Sequence, residues 1–291
     1  MEQSNLEYWE QLAGIHGFGN DRYYDVTSLV EGGSLMGREE RDALARATRG
    51  AGVGGLDVMH LQCHIGCDAI TMAREGARVT GVDFSPTALS RLDSLAHDCG
   101  VDVRTVKADA RRLPHHLDDS FDLVYASIGV TCWIDDIGAW MEGVARVLRE
   151  GGALVVVDFH PLLQMIDSVD PLVIDFPYNF DEGHEYIGVG SYANREADVS
   201  WTTKQYAHGL AELVVSALDA GLRIRHLEEH TPMGFDPRGM GELSDESEGR
   251  FRLRIGRGSP AVESVTPGEP LPVLFTLIAD KPPSGNRQIR T

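Results

Sequence analysis

Cysteine is scarce in this chain. There are four in 291 residues, Cys63, Cys67, Cys99 and Cys132, too few for a secreted disulfide framework. Basic residues are scarce too: 26 Lys and Arg stand against 45 Asp and Glu, a formal net charge of −19. Such a surface repels phosphate backbones and anionic lipid, which argues against nucleic acid and membrane partners. Long apolar runs are missing. "ALVVV" at 153–157 falls far short of the ~20 residues that cross a bilayer. The start, "MEQSNLEYWEQLAG", is acidic and aromatic, not the basic-then-apolar pattern of a signal peptide, so a cytoplasmic location with reduced thiols is expected. No internal repeat or low-complexity tract is present. With 42% hydrophobic residues, the chain can bury the core of one large α/β domain with an appended subdomain.

Residues 1–50 read as a polar N-terminal helical cap with aromatics at Tyr8, Trp9, Tyr23 and Tyr24. Residues 51–161 alternate. "LDVMHLQ", "RVTGVDF", "VDVRTVKAD", "FDLVYAS" and "ALVVVDF" read as strands, and "CDAITMAREGA", "SPTALSRLDSLAHDCG" and "IGAWMEGVARVLREGG" as helices. Ser85 is the N-cap of the second helix, with Pro86 in its first turn. Apolar strands alternating with helices predict an α/β, Rossmann-like, doubly wound parallel sheet covered on both faces. Residues 162–206 break the pattern with aromatics and turn formers, among them Phe176, Tyr178, Phe180, Tyr186, Tyr192, Trp201 and Tyr206. Residues 207–291 complete the sheet with a helix, "HGLAELVVSALDAGL", and the strands "RIRHLEEH" and "LPVLFTLIADK". A Gly-, Pro- and charge-rich excursion at 232–268 and a tail at 282–291 interrupt and end that region.

Ligands of open parallel sheets bind beyond the carboxyl ends of the strands. The loop after the first strand, "HLQCHIGCD" at 60–68, is therefore the leading site. Asp83 follows Gln62 by 21 residues at the end of the second strand, where a carboxylate can accept hydrogen bonds from both hydroxyls of a ribose. Asp109 ends the third strand on the same edge, within reach of an adenine. A dinucleotide loop has three glycines so that its backbone can approach a pyrophosphate. Here only Gly66 is left, and Gln62 and His64 add bulk. There is no Gly-rich lysine loop for a triphosphate either. A cofactor with adenine and ribose but no phosphate fits better, and S-adenosylmethionine is such a molecule.

The series "VMHLQCHIGCD…RVTGVDFSPTAL…VKADARRLP…FDLVYASIGVTCW…VARVLREGGALVVVDFHP", over about residues 55–161, resembles a class I S-adenosylmethionine-dependent methyltransferase. The form "HLQCHxGxD" is similar to a bacterial small-molecule subset, many of them in natural-product pathways. The resemblance implies seven strands with the last antiparallel. It implies Gln62, His64, Gly66 and Asp68 at the methionine part of the cofactor, and Asp83 on the ribose. Phe84 would lie near the adenine, Asp109 and the Ala110 backbone at the adenine edge, and Ser127 by the transfer site. It also implies an N-terminal segment folded over the cofactor, with Tyr24 near the sulfonium. The chain departs from the common pattern at His60, where an acid is usual, and at Gln62 and His64, where glycines are usual.

Other readings compete with these. Cys63, Cys67 and His64 could hold zinc, but no second ligand pair follows, so Cys63 reads as a packing residue and no metal is expected. Asp83 and Asp109 could merely cap a helix or begin a turn. Trp133 fits an active-site wall or the core. His160, at the end of the fifth strand, fits a general base or a hydrogen-bonded structural histidine, and His208, opening a helix, a structural one. The aromatic stretch 162–206 reads as an acceptor lid, or else as a satellite hydrophobic cluster. The expected activity is methylation of a C, N or O atom on a small, aromatic or apolar natural-product-type molecule, such as an indole, by a chain that can form a homodimer. Two alternatives stand: an NAD(P)-dependent oxidoreductase on a related sheet, and a non-catalytic S-adenosylmethionine-binding module. A methyltransferase acting on macromolecules is disfavoured by the acidic charge and by "ASIGV", which stands where an Asn/Asp-Pro-Pro-aromatic motif would follow the fourth strand.

Overall fold

The computed structural model describes residues 2–19, 23–169, 172–234, 244–245, 250–254 and 270–283. Three helices come first: α1 (Gln3–Ile15), α2 (Val26–Val30) and α3 (Arg38–Ala47). The alternating part follows as β1 (Asp57–Leu61), α4 (Cys67–Arg74), β2 (Arg78–Asp83), α5 (Pro86–Asp98), β3 (Val103–Lys107), β4 (Phe121–Ser127), α6 (Ile137–Val147) and β5 (Leu148–Phe159). Next are α7 (Pro161–Met165) and two hairpins, β6 (Ile166–Val169) with β7 (Leu172–Ile174) and β8 (Phe180–Val189) with β9 (Ser200–Ala207). Then come α8 (Leu210–Asp219) and β10 (Arg223–His230). Short strands β11 (Pro232–Met233), β12 (Ser244–Asp245), β13 (Arg250–Arg254) and β14 (Pro270–Leu271) precede β15 (Leu274–Asp280).

The main sheet has seven strands in the order β10-β15-β5-β4-β1-β2-β3. β1 to β5 pair in parallel, and β15 runs antiparallel between β5 and β10. Every residue of β15 is buried, as are the apolar residues of β5 from Ala153 to Val157. That is the burial an interior strand covered on both faces must have. The strand order reverses between β1 and β4, so the loops after these two strands open a crevice at the sheet's carboxyl edge.

Two hydrophobic clusters fill the faces. One gathers Trp140, Met141 and Val144 of α6 with Leu213 of α8. The other joins Ile70 and Met72 of α4 and Leu92 of α5 with Ala43 and Leu44 of α3. α3 is thus a flanking helix of the sheet, whereas α1 lies across other elements. Asn5 of α1 completes the backbone of β9: its Nδ2 donates to Lys204 O and its Oδ1 accepts from Lys204 N, both at 2.8 Å. Glu10 of α1 accepts from the Ser85 and Thr87 hydroxyls at the start of α5. Ser85 itself caps α5, its Oγ accepting from Ala88 N at 3.0 Å. No helix among the described residues is long and apolar enough to cross a membrane. Most of the expected excursion at 232–268, and the tail from 284, lie outside the described residues.

Candidate active site

A cavity of about 1060 Å³ opens at the carboxyl edge, walled by the loops after β1, β2 and β4, by α1 and α3, and by the hairpins. It exceeds the ~300–1,000 Å³ of an ordinary small-ligand site. Among the described residues its lining carries five acids, Glu39, Glu40, Asp68, Asp83 and Asp167, against one Lys or Arg, Arg195, and two buried histidines, His60 and His64.

The loop after β1 is held in a left-handed course. Gln62 has φ 57° and His64 φ 49°, a region that costs a side-chain-bearing residue ~1–2 kcal/mol. Partners offset the strain. Gln62 Nε2 donates to Val130 O, and Trp140 Nε1 donates to Gln62 Oε1, both at 3.0 Å. The amide thus ties the β1 loop to the loop after β4 and to α6. His64 N donates to Asp83 Oδ2 at 2.9 Å, and its Nε2 meets His16 Nδ1 at 2.9 Å. His16 reaches on to Ser191 Oγ at 3.2 Å. Burial pushes the His16 pKa down to about 3 and holds His64 well below the usual imidazole range, so the two histidines are uncharged near neutral pH. Gly66 (φ 74°) allows the close approach that starts α4: a Cβ there would meet Leu92 Cδ1 at 2.3 Å. Cys63 Sγ packs beside Gly81, where an added Cβ would meet it at 3.1 Å.

Asp83 is 7% exposed. Its Oδ1 accepts from Ser85 N at 2.9 Å and its Oδ2 from His64 N. Burial raises its pKa to about 6, against those hydrogen bonds. A carboxylate offers about four acceptor sites, and the Ser85, His64 and Phe84 N–H groups act on this one, so capacity remains for a ribose hydroxyl. Phe84 lies next to it on the lining. Below β4 an acidic cluster forms. Ser127 Oγ donates to Glu40 Oε1 at 2.8 Å, and Tyr125 Oη lies 3.1 Å from Glu40 Oε1, 3.2 Å from Asp68 Oδ2 and 2.7 Å from Ser127 Oγ. Glu40 also accepts from Gly37 N at the start of α3.

The opposite wall is aromatic. Trp9 and Trp133 meet edge-to-face at 5.3 Å, Tyr8 lies 5.2 Å from Trp201, and Trp9 lies 6.4 Å from Tyr192. Tyr24 stacks on His16 at 4.8 Å and its hydroxyl is hydrogen-bonded to that of Tyr192. Behind the polar wall, Asp158, 1% exposed, accepts from the backbone N–H groups of Gly129 and Thr131 and fixes the loop after β4.

The structure therefore brings Tyr24, Gln62, His64, Gly66, Asp68, Asp83, Phe84, Ser127 and Trp133 to one cavity. Asp109, Ala110 and His160 lie outside its lining. Asp109 is chelated by Arg111, with Nε at 3.0 Å and Nη2 at 2.7 Å. Ala110 is packed in the core. His160 uses both ring nitrogens locally: Nδ1 accepts from Leu162 N at 3.1 Å and Nε2 meets Glu229 Oε1 at 2.7 Å. Sequence reasoning passed over Glu40, Tyr125, His16 and Asp158. Glu40 had one signal, its place three residues after Gly37 at a helix start, the spacing of a capping carboxylate.

A sequence profile described as "Methyltransferase domain" matches residues 58–152. Over those residues the chain is similar to a methyltransferase domain. It is 34% identical over 139 residues to a demethylmenaquinone methyltransferase of Mycobacterium sp. (strain JLS), covering 47% of this chain and 55% of that protein. It is 26% identical over 199 residues to a trans-aconitate 2-methyltransferase of Enterobacter sp. (strain 638), covering 62% of this chain and 73% of that protein. The chain thus spans about half the length of the first of these curated relatives. In fold it is similar to an S-adenosylmethionine-dependent methyltransferase from Mesorhizobium loti, with a TM-score of 0.51 and 19% identity over 82% of this chain and 97% of that one.

Proposed function

We propose that this methyltransferase domain transfers a methyl group from S-adenosylmethionine to a small aromatic acceptor held in the same cavity. The charge of the lining carries the reading: five acids and one arginine suit a cationic cofactor and disfavour a pyrophosphate. The donor set fits the S-adenosyl group. Asp83 retains acceptor sites for the ribose hydroxyls, Phe84 offers a ring for the adenine, and the polar loop 62–68 and Ser127 face the methionine part. Asp109 is left for the adenine edge only if Arg111 releases its carboxylate, and Ala110 lies outside the lining. When bound, the cofactor supplies a methyl group already activated on a sulfonium.

The chain's own task is then to position and to exclude water. Positioning in a near-attack geometry is worth up to about 7–11 kcal/mol in intramolecular models. Asp83, anchored by two backbone N–H groups, is a preorganised acceptor. Trp9, Trp133, Tyr192 and Trp201 form an apolar wall against which a flat acceptor, an indole for example, can stack. The segment 162–206 acts as the acceptor lid, α1 helping to close it through its bonds to Lys204 and Ser85. The hydroxyl pair Tyr24–Tyr192 can orient an acceptor heteroatom or take part in moving its proton. The test is mass spectrometry of aromatic metabolites incubated with the protein and methyl-labelled S-adenosylmethionine. With non-aromatic acids included in the same panel, label should enter an aromatic product, and label confined to the non-aromatic acids would overturn the acceptor class.

A further inference from the structure

One part of the cavity wall has more acid than its surroundings can ionise. Glu40, 7% exposed, and Asp68 share the hydroxyls of Tyr125 and Ser127 within 3.4 Å. They come from two helices, α3 and α4, that the fold forces together over the end of β4. Two carboxylates this close cannot both be charged in a low-dielectric wall, so one proton stays with the pair. Burial, then the neighbouring Glu40, raises the Asp68 pKa to about 8, and burial raises Glu40 too. The other groups facing the pair do not neutralise it. Glu39 opposes it, and Arg41 acts on Asp68 only as the weakest cause. Cys67 is pushed upward, and Tyr125 well above its ordinary range.

A second observation points to an incoming ligand. His60, 3% exposed, lines the same cavity and packs 5.2 Å from the Tyr125 ring, and its Nδ1 has no hydrogen-bond partner among the described residues. Burial brings its pKa down to about 3, so it offers no cation of its own to the acids.

We propose that the Glu40–Asp68 pair is a proton-linked receptor for a primary ammonium group, and that binding the α-ammonium of an S-adenosyl ligand expels the shared proton to solvent. The proposal rests on the cofactor reading above. The balance is simple: the pair carrying one proton and one negative charge meets R–NH₃⁺, and the products are the doubly charged pair ion-paired with R–NH₃⁺ plus one proton in water. No bond to carbon changes. The sign follows. The ligand prefers the deprotonated pair, so affinity rises with pH below about 8, by up to about tenfold per unit, and falls again at higher pH as the ligand's own ammonium loses its proton.

The test is calorimetric titration of the whole protein with S-adenosylhomocysteine, which has the ammonium but no sulfonium, at pH 7 in buffers of different ionisation enthalpy. Release of close to one proton is expected for the wild type. Glu40→Gln and Asp68→Asn should each bind with release reduced by more than half, since one carboxyl without its twin needs no extra proton. Circular dichroism checks that the variants fold. Binding without proton release by the wild type, or undiminished release by the folded variants, overturns the proposal and leaves the cofactor reading standing. No binding by the wild type overturns both.

Discussion

The two walls of the cavity are built in opposite ways. The core wall, from β1, β2 and β4 with α3, is polar, and its side chains are locked: Gln62 by Val130 and Trp140, His64 by His16, and Asp83 by two N–H groups. The facing wall, from α1, the turn at Thr131–Trp133 and the β8–β9 hairpin, is aromatic and meets through ring contacts. The core wall apart from α3 lies within the matched domain, residues 58–152, and most of the aromatic wall lies outside it. Fixed dipoles suit a ligand that never changes, and apolar faces suit one that differs between proteins. The contrast teaches where to look: cofactor affinity should be lost on the first wall, and acceptor choice on the second.

The comparison breaks hardest at Gly66. Gly66→Ala puts a Cβ into Leu92 at a left-handed position, and should destabilise the fold by about 2–4 kcal/mol, read from urea unfolding. Asp83→Asn removes the charge and leaves one acceptor oxygen where His64 N and Ser85 N use two, so circular dichroism accompanies the binding measurement. S-adenosylhomocysteine should then bind roughly 30- to 150-fold more weakly by calorimetry, about 2–3 kcal/mol for charge-assisted hydrogen bonds. Trp133→Ala should reverse the pattern, with kcat/KM for the acceptor down roughly tenfold or more and cofactor affinity little changed. Equal losses in both would erase the distinction between the walls. Asp109→Asn should do least. Its carboxylate is held by Arg111 away from the cavity lining, so a change in cofactor affinity within about threefold, under about 1 kcal/mol, is expected.

The sheet was legible in the sequence because its signals are local. Apolar runs such as "ALVVV" fell on the buried β5, Ser85 and Pro86 began α5, and the final strand proved antiparallel. The place of the site was legible too, because strand ends in an open sheet share one edge. Its detail was not. Whether Gln62 and His64 can stand where glycines are usual depends on Val130, Trp140 and His16, at separations of 68, 78 and 48 residues. Asp109 lies two residues past β3 at the expected edge, and Arg111, two residues further on, engages both its oxygens, a local ion pair that the strand pattern does not signal. His160 likewise stands at the right strand end and turns to Glu229, a residue of β10. Glu40 read as one charge among several in "GREERDAL", because nothing in a helix's own pattern says that a buried carboxylate waits on the next helix.

The central claim is that the acidic, locked wall holds an S-adenosyl cofactor. Side-by-side equilibrium titrations of the wild-type protein with S-adenosylhomocysteine and with NAD⁺ test it most directly. Saturable one-to-one binding of S-adenosylhomocysteine, weakened by Asp83→Asn, with no binding of NAD⁺, is the expected result. Binding of NAD⁺ in preference to S-adenosylhomocysteine would contradict it.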